Sequence, residues 1–316
     1  MSGLDEFGEI ARLFRPLTRG APGAFELKDD AAVIPSRPGF DLVVTKDAVV
    51  EGVHVPKGEA PDLIARKLVR VNLSDLAAKG AEPAGCLLAV AWPRAYRLKD
   101  RERFVLGLAA DLETYALPLL GGDTVAMPDG PLTASLTAFG WVPEGRMLRR
   151  GGARPGDLVL VSGAIGDATL GLAAVQGEIE DPDGSLTYRY RLPEPRLDVR
   201  AALRRTATAT ADISDGLIAD ARHIAEASEV AITLDLEQMP LSRAAATWLE
   251  GQPDTTAALL RLASGGDDYE IVCTVPSGVR KPAGFTVVGR VSEGAGVEVR
   301  ALGRTLEAGA GGWRHG

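Results

Sequence analysis

Cysteine and histidine are both scarce in this chain of 316 residues. The two cysteines, Cys86 and Cys273, stand alone and lack Cys-x-x-Cys spacing, so neither a disulfide framework nor a zinc centre is expected. The three histidines are too scattered to suggest a metal triad, and His223 lies on a predicted amphipathic helix, where a structural role is favoured. A reducing compartment, the cytoplasm, is therefore expected.

Basic clusters and long apolar runs are also absent. The chain has 35 basic and 43 acidic residues and a net charge of −8, without a basic stretch that could neutralise a nucleic-acid backbone. No apolar run reaches the length of a membrane span, and the first residues are acidic and amphipathic, unlike a signal peptide. The sequence predicts a soluble protein that binds neither nucleic acid nor membrane.

The common motifs of nucleotide-binding and hydrolytic folds are missing as well. The chain contains no GxxxxGK[ST], GxGxxG, HExxH or GxSxG string. Any ATP chemistry must therefore use another architecture. An acidic protein that binds phosphates would also need cations to screen the repulsion between like charges.

What the chain does have is a set of isolated aspartates in short apolar or glycine-rich strings. They are Asp30, Asp47, Asp75, Asp123, Asp212 and Asp215. Each alone is more often a turn or cap residue than a ligand. If they converge, two carboxylates about 4 Å apart repel by about 4 kcal/mol at an effective dielectric of 20. Magnesium would relieve that repulsion and prefers hard oxygen ligands, so the set suggests several Mg²⁺ ions held against a polyphosphate.

The length and the alternation of strands and helices predict two α/β domains. A single core rarely grows to this size. The stretch PEGRMLRRGGARPGD at 143–157 is rich in Pro, Gly and Arg, and we place the boundary there, giving domains at 1–148 and 149–316.

Hydrophobic periodicity assigns the elements of the first half. Predicted helices cover 5–15, 61–79 and about 104–115, and predicted strands cover 42–44, 87–92, 117–120 and 132–142. Thr45 to Asp47 would then lie at a strand end, and Gly121 to Thr124 would form a turn whose backbone N–H groups approach a phosphate. Asp75 would lie near a helix C-terminus, where a bound cation would offset an unfavourable dipole of roughly 0.3–1 kcal/mol.

Hydrophobic periodicity also assigns the elements of the second half. Strands are predicted at 158–161, about 230–236, 270–275 and 285–291, a helix follows the Gly-rich turn at 162–172, and 177–195 is a predicted surface connection. The string Asp212 to Gly216 precedes a helix that would bury Leu217, Ala221, Ile224 and Ala225, with Ser214 or Asp215 as its cap.

Several strings, taken in order, resemble one known family. They are KDDAAVI, TKDAVVEGVH, NLSDLAAKGAEP, GGDT, RRGGARPGD, SGAIGDATLGL, PEPR, DISDGL and GGDDYEI. Together they span nearly the whole chain and resemble the thiamine-monophosphate kinases of the aminoimidazole-ribonucleotide-synthetase-like superfamily. VEGVH, SDLAAKGAEP and GGDDYE favour the thiamine branch over the rest of the superfamily.

The resemblance implies a fold and a reaction. The fold is a two-domain α/β (α+β) structure whose N-terminal domain binds ATP and metal and whose sheet pairs with that of a dimer mate to form a barrel. The C-terminal α/β domain would complete the active-site cleft. The reaction is Mg²⁺-dependent transfer of the ATP γ-phosphoryl group to thiamine monophosphate, giving thiamine diphosphate, with ATP as co-substrate.

The resemblance also implies roles for single residues. The Mg²⁺ ligands would be Asp30, Thr45, Lys46 through its carbonyl, Asp47, Asp75, Asp123, Asp212 and Asp215. Of these, Asp47, Asp75, Asp123 and Asp212 would be central to catalysis. ATP would contact Gly122, Asp123, Arg150 or its neighbour Arg149, and Ser214, with Tyr115 either an ATP contact or a core aromatic. Thiamine monophosphate would contact His54, Asp267 and Trp313.

The sequence departs from the family's residue pattern at three positions, and three alternative functions stay open at this point. Lys28 replaces a usual glycine, Val55 a usual aromatic and Asp267 a usual glutamate. The chain could instead be another ATP-using member of the superfamily, such as an aminoimidazole ribonucleotide synthetase or a hydrogenase-maturation ATPase. It could also be a catalytically silent sensor of thiamine diphosphate or nucleotide. Product analysis separates these possibilities.

Overall fold

A computed structural model describes residues 6–306 of the chain. It divides into two compact units. The first unit takes the described residues up to Leu76 together with Ala81–Gly145, and the second takes Ala77–Gly80 and the described chain from Arg146 onwards. The sequence boundary, placed at residue 148, did not foresee that a short segment near residue 80 belongs to the second unit.

The N-terminal segment is helical but irregular. A short helix α1 (Glu6–Glu9) passes into a π-helical turn (Ile10–Phe14) and a 3₁₀ turn (Arg15–Thr18). The predicted regular helix over 5–15 is therefore wrong in type. Pro16 has no N–H to continue an α-helix, and the Arg15 N–H donates to the carbonyl of Ile10.

A four-stranded mixed sheet with two long helices forms the first unit. Its elements are β1 (Phe40–Val50), α2 (Pro61–Ala78), β2 (Glu82–Pro93), α3 (Leu98–Thr114), β3 (Leu119–Met127) and β4 (Thr133–Pro143). The strand order is β1-β4-β2-β3. Strand β4 is antiparallel to β1 and β2, whereas β2 and β3 are parallel. Among the described residues of one chain this sheet is open, with β1 and β3 at its edges.

Burial alternates along β1 and shows that the two faces of this sheet differ. Val43 and Val49 are buried, whereas Leu42 and Val44 on the opposite face are 38% and 55% exposed. Trp92 at the end of β2 packs edge-on against Phe104 of α3, with ring centroids 5.2 Å apart.

Helices α2 and α3 are joined by a buried ion pair. Both Arg66 and Arg70 of α2 donate to Asp111 of α3, which is fully buried.

Two predicted strand ends are wrong. Strand β1 continues through Thr45 and Asp47 because their backbones pair with β4, where Asp47 lies opposite Leu136. Strand β3 likewise runs past the glycines, so the predicted turn at 121–124 is part of a strand. At Gly122 an added Cβ would lie 1.9 Å from the carbonyl oxygen of Leu88, so close packing of β2 requires glycine there.

The second unit is built on a seven-stranded mixed sheet. Its strands are β5 (Asp157–Ser162), β6 (Ala209–Asp212), β7 (Ala231–Asp235), β8 (Ile271–Pro276), β9 (Phe285–Ser292), β10 (Gly296–Ala301) and β11 (Arg304–Leu306). The order is β11-β10-β7-β9-β5-β8-β6. Its helices are α4 (Asp167–Val175), α5 (Ser185–Arg191), α6 (Arg200–Thr206), α7 (Leu217–Ser228), α8 (Arg243–Glu250) and α9 (Thr255–Ser264).

The apolar pattern of α7 is confirmed, since Leu217, Ala221, Ile224 and Ala225 are all buried. The prediction of a surface connection over 177–195 is wrong in part. Helix α5 lies within it and buries Leu186 and Tyr190. Its short length and polar sequence conceal it from periodicity arguments.

Neither cysteine is bonded to the other, and both are buried. Burial raises the pKa of each thiol above its ordinary value, which keeps both protonated and unreactive. Within residues 6–306, no helix is long and apolar enough to cross a bilayer.

Candidate functional site

Three of the predicted metal ligands meet in the first unit. Thr45 and Asp47 project from the same face of β1, because they are two residues apart, and Asp75 belongs to the last turn of α2. The Thr45 hydroxyl donates to the Asp75 carboxylate. Burial, followed by the negative charge of Asp75, raises the pKa of Asp47 to about 6. Paired, half-buried carboxylates of this kind are suited to a cation.

Asn72 fixes this group and was missed in the sequence. Its side-chain oxygen accepts the N–H of Asp47 at 3.1 Å, and its side-chain nitrogen donates to the carbonyl of Leu68 at 2.9 Å. The Ser135 hydroxyl donates to the Asp47 carbonyl at 3.1 Å. Asn72 is fully buried and lies one helical turn before Asp75. A polar residue within the buried pattern of α2 was the available signal.

A second group of predicted residues lines a cavity of about 900 Å³, also in the first unit. Its polar lining includes Lys28, Asp29, Asp30, Lys46, Asp123 and Ser135, and its apolar lining includes Phe7, Ile10, Phe14, Leu27, Ile34 and Phe139. Gly122 also contributes. A cavity with an apolar part and a charged part suits a ligand that has a flat apolar ring and an anionic tail.

These two groups lie on opposite faces of the sheet. Asp47 is in register with Leu136 and Leu88, whose side chains are buried. Asp123 is in register with Ala89 and, through it, with Ser135, which lines the cavity. Lys46, between Thr45 and Asp47 in the chain, points to the cavity side.

His54 lies in a tight turn after β1. Its Nδ1 accepts the Val50 N–H at 3.0 Å, and its own N–H donates to the Val50 carbonyl at 2.9 Å. Because Nδ1 is an acceptor, the neutral ring carries its proton on Nε2. Val55, one of the departures, is 4% exposed and belongs to the core.

The turn with His54 is held by Glu51, which the sequence did not single out. Its carboxylate accepts the Gly58 N–H at 2.7 Å, the Tyr96 hydroxyl at 3.1 Å and the Leu132 N–H at 3.4 Å. One side chain therefore joins three separate segments around His54. Only the position of Glu51 inside VEGVH hinted at this, since two of its partners, Tyr96 and Leu132, are distant in sequence.

Tyr115 and Trp313 are two further residues that were predicted to contact a ligand. Tyr115 follows α3, and the guanidinium of Arg70 lies over its ring, 5.6 Å from the centroid. Tyr115 is not among the residues that line the cavity. Trp313 lies outside the described residues. Lys28 lines the cavity and pairs with Glu26 at 2.5 Å, both side chains being exposed.

In the second unit two loops bring together residues predicted for metal, nucleotide and acceptor. Asp212 ends β6 and is buried, and Ser214 and Asp215 follow it. The Asp267 N–H donates to the Ser214 carbonyl at 2.9 Å, and the Tyr269 N–H to the Ile213 carbonyl at 2.8 Å. The position of Asp267 is thus tied to that of Ser214.

Asp220 organises the Ser214–Asp215 loop from helix α7. One carboxylate oxygen accepts the N–H groups of both loop residues at 3.0 Å. The predicted side-chain cap is therefore wrong: Gly216, at φ 107°, precedes the helix and neither Ser214 nor Asp215 caps it. Burial raises the pKa of Asp220 to about 7, while Arg150 opposes the shift electrostatically.

Buried carboxylates also hold the Asp267 loop. Asp268 accepts the Gly166 N–H at 2.8 Å and the Ala168 N–H at 3.1 Å at the start of α4, and burial raises its pKa to about 8. Glu270 is fully buried and accepts hydrogen bonds from Ser162, Arg189 and Arg196. Asp267 itself has a left-handed backbone, with φ 69°.

Comparison with known proteins places this geometry in a family. Residues 28–142 match the AIR synthase related protein N-terminal domain, and residues 154–302 match the corresponding C-terminal domain. The chain therefore belongs to the AIR synthase related proteins, whose two domains it contains in order.

Within that class the chain belongs to the thiamine-monophosphate kinases. It is 52% identical to the thiamine-monophosphate kinase of Caulobacter vibrioides over 98% of this chain and 91% of the relative. The structure of the Stenotrophomonas maltophilia enzyme superposes with a TM-score of 0.82 at 36% identity, covering 96% of this chain and 98% of that one. The structure of AaThiL complexed with AMPPCP and TMP gives 0.80 at 31% identity, covering 100% and 99%.

Proposed function

We propose that this protein transfers the γ-phosphoryl group of ATP to thiamine monophosphate, giving ADP and thiamine diphosphate. The observation that carries this proposal is the 52% identity to a thiamine-monophosphate kinase over nearly the full length. A relative of the same fold binds AMPPCP and TMP together, as expected for a ternary complex of donor and acceptor. A hydrogenase-maturation ATPase or an aminoimidazole ribonucleotide synthetase is less well supported, and a silent sensor is at odds with membership of a kinase family.

Magnesium would be held by Asp30, Thr45, Asp47, Asp75, Asp123, Asp212 and Asp215, with the Lys46 carbonyl as a further ligand. The donor set fits, because these are hard oxygen ligands. The raised pKa of Asp47 beside Asp75 supports this assignment, since a cation would stabilise both carboxylates in their charged forms. When bound, the ions neutralise the phosphate oxygens of donor and acceptor.

ATP would occupy the cavity of the first unit. Its apolar part, near Phe14 and Leu27, suits the adenine ring, and its charged part, near Gly122 and Asp123, suits the triphosphate. The family resemblance implies that Arg150 and Ser214 would contact phosphate oxygens, with Tyr115 as a further candidate.

The acceptor would be positioned by His54, Asp267 and Trp313. Since Nδ1 of His54 accepts a backbone N–H, Nε2 is the donor of the neutral ring and can donate to a phosphate oxygen. The acceptor phosphate is largely dianionic near neutral pH, its second pKa being about 6, so in-line attack needs no strong general base. Catalysis then consists mainly of positioning and charge neutralisation by Asp47, Asp75, Asp123 and Asp212.

The functional form would be a homodimer in the cytoplasm. The open face of the first sheet exposes Val44 at 55% and Val125 at 51%, and edge strands β1 and β3 have no further partner within the described chain. A second copy that pairs with this sheet would bury those side chains and close a barrel. The two buried, unbonded thiols agree with a reducing compartment.

Product analysis tests this function. Purified protein is incubated with ATP, Mg²⁺ and either thiamine monophosphate, thiamine or aminoimidazole-type acceptors, and the products are identified by mass spectrometry. We expect thiamine diphosphate and ADP in equal amounts from thiamine monophosphate alone. Transfer to another acceptor, or ADP formation without thiamine diphosphate, would contradict the proposal.

A further inference from the structure

Helix α7 and the loop before it bring together two carboxylates and an imidazole. Asp215 lies in the loop, while Asp220 and His223 lie one turn apart on the helix. One ligand atom from each residue lies within 4.8 Å of the others. Asp215 is also one of the ligands proposed for magnesium, so the two sites would share this carboxylate, whereas Asp220 and His223 are not part of the magnesium set.

The hydrogen bonding of the Asp220 carboxylate indicates that this cluster binds a ligand. The residue is fully buried, and its Oδ2 already accepts two N–H groups. Its Oδ1 is buried and has no hydrogen-bond partner. A buried polar atom left unsatisfied costs about 1–3 kcal/mol, so such atoms call for an explanation. A cation bound by Oδ1 satisfies that oxygen.

The chemistry of the donors selects the class of cation. Magnesium is bound almost wholly by oxygen atoms, whereas imidazole is a ligand for zinc, cobalt and related transition ions. Two carboxylates with one imidazole form a mixed oxygen and nitrogen set. We propose that Asp215, Asp220 and His223 form a site for a divalent transition ion of the zinc and cobalt type.

Some neighbouring charges favour cation binding at this site and others oppose it. The Glu226 carboxylate lies 3.9 Å from His223 Nδ1 and adds a negative charge one turn further along α7. Arg150 acts on Asp220 with the opposite sign. With two carboxylates at the site itself, and Glu226 beside it, the net environment favours a cation. His223 is 41% exposed, so the site can be reached from solvent.

Cobalt binding to the full chain, without nucleotide or thiamine monophosphate, tests the site. Co²⁺ bound through imidazole gives visible absorption bands, and the three histidines of the chain allow His223 to be followed by ¹⁵N NMR of labelled histidine. We expect saturable binding that broadens the His223 signals. His223→Gln and Asp220→Asn should each weaken it by on the order of tenfold or more. His54→Gln and Glu293→Gln, which removes an exposed carboxylate of the same unit, should bind Co²⁺ as wild type does.

The proposal is overturned if His223→Gln binds Co²⁺ as tightly as wild type, or if the His54 signals broaden in place of those of His223. Unfolding in the presence of a chelator shows whether Asp220→Asn still folds, and His223→Gln decides the question if it does not.

A second experiment measures Zn²⁺ binding by calorimetry in a large excess of Mg²⁺. Displacement of Zn²⁺ by Mg²⁺ would equally contradict a mixed-donor site. The test omits both substrates, so its failure leaves the kinase activity untouched.

Discussion

The acidic side chains of this protein have two kinds of surroundings. Asp47 meets another carboxylate, Asp75, whereas Glu51, Asp220 and Asp268 accept backbone N–H groups of loops. The first kind was recognised in the sequence as isolated aspartates in apolar strings. The second kind was missed, because the bonds depend on how a loop folds back on the carboxylate, whether the N–H donors are five to seven residues away, as for Asp220 and Gly58 of the Glu51 turn, or about a hundred, as for Asp268.

Glu51 is expected to position His54. Glu51→Ala removes the acceptor for Gly58, Tyr96 and Leu132, so the turn with His54 should lose its fixed geometry. The KM for thiamine monophosphate should rise about tenfold, which corresponds to about 1.4 kcal/mol, while the KM for ATP changes little. Steady-state kinetics with each substrate varied in turn measures the two constants.

Glu51→Gln is the matched control, because its amide oxygen can still accept hydrogen bonds, and it should retain most of the acceptor affinity. An equal rise of both KM values, or none in Glu51→Ala, would refute a positioning role for Glu51.

Asp268 should make the stability of the second unit depend on pH. Its pKa is raised from 3.8 to about 8, mainly by burial, with Glu270 and Asp167 adding negative charge. The folded protein therefore keeps a proton that the unfolded chain releases. This stabilising contribution is full below about pH 4 and is lost as the pH rises towards 8. Asp268→Asn cannot ionise and should lose less stability over that range.

Urea unfolding at several pH values between about 5 and 8 gives the comparison. Wild type should show the steeper fall in the free energy of unfolding. Parallel curves for the two proteins would mean that Asp268 is already ionised in the folded state.

Helices and strands were predictable to different degrees. The helix α2 (Pro61–Ala78) follows from its apolar period and from Pro61 at its start. The ends of strands were harder to predict from the sequence. Strand β1 continues through Thr45–Asp47 and β3 through Gly121–Asp123, because both pair with strands that are distant in sequence. A polar or glycine-rich string looks like a loop locally, and only its cross-strand partners keep it extended.

Gly122 and Gly121 offer a test of strand packing. An added Cβ at Gly122 would lie 1.9 Å from the Leu88 carbonyl oxygen, a backbone atom that cannot move away. At Gly121 it would lie 3.3 Å from Leu87 Cδ2, the end of a flexible side chain. Gly122→Ala should therefore destabilise the protein by about 2–4 kcal/mol, and Gly121→Ala by under about 1 kcal/mol. Chemical unfolding measures both, and equal effects would mean that β2 and β3 are not packed this closely.

The two-unit organisation follows from length and composition, but its details do not. The Pro, Gly and Arg-rich stretch after residue 143 indicates where one unit gives way to the next. Ala77–Gly80 also belongs to the second unit, and this depends on packing. The Thr210 hydroxyl donates to the Ala78 carbonyl, and the Lys79 ammonium group donates to the Thr210 carbonyl. No local property of the sequence foretells such a contact.

Self-association through the open sheet is the expected assembly. Val44→Glu places a charge on the exposed apolar face and should weaken dimerisation at least about tenfold, because a charge buried without a partner is strongly unfavourable. Leu106→Glu, on α3 and 69% exposed, is the matched control and should leave the association constant unchanged. Sedimentation velocity over a range of concentrations gives these constants. A monomeric wild type, or equal effects of both changes, would rule out this interface.

The most direct measurement follows the Mg²⁺ dependence of phosphoryl transfer by ³¹P NMR in wild type, Asp47→Asn and Asp75→Asn. We expect wild type to form thiamine diphosphate only with Mg²⁺. Both variants should lose most activity, more than about 100-fold, while they remain folded. Asp129→Asn removes an exposed carboxylate and should behave as wild type. Transfer at the wild-type rate by either Asp47→Asn or Asp75→Asn would show that the removed carboxylate does not hold the ions of the reaction.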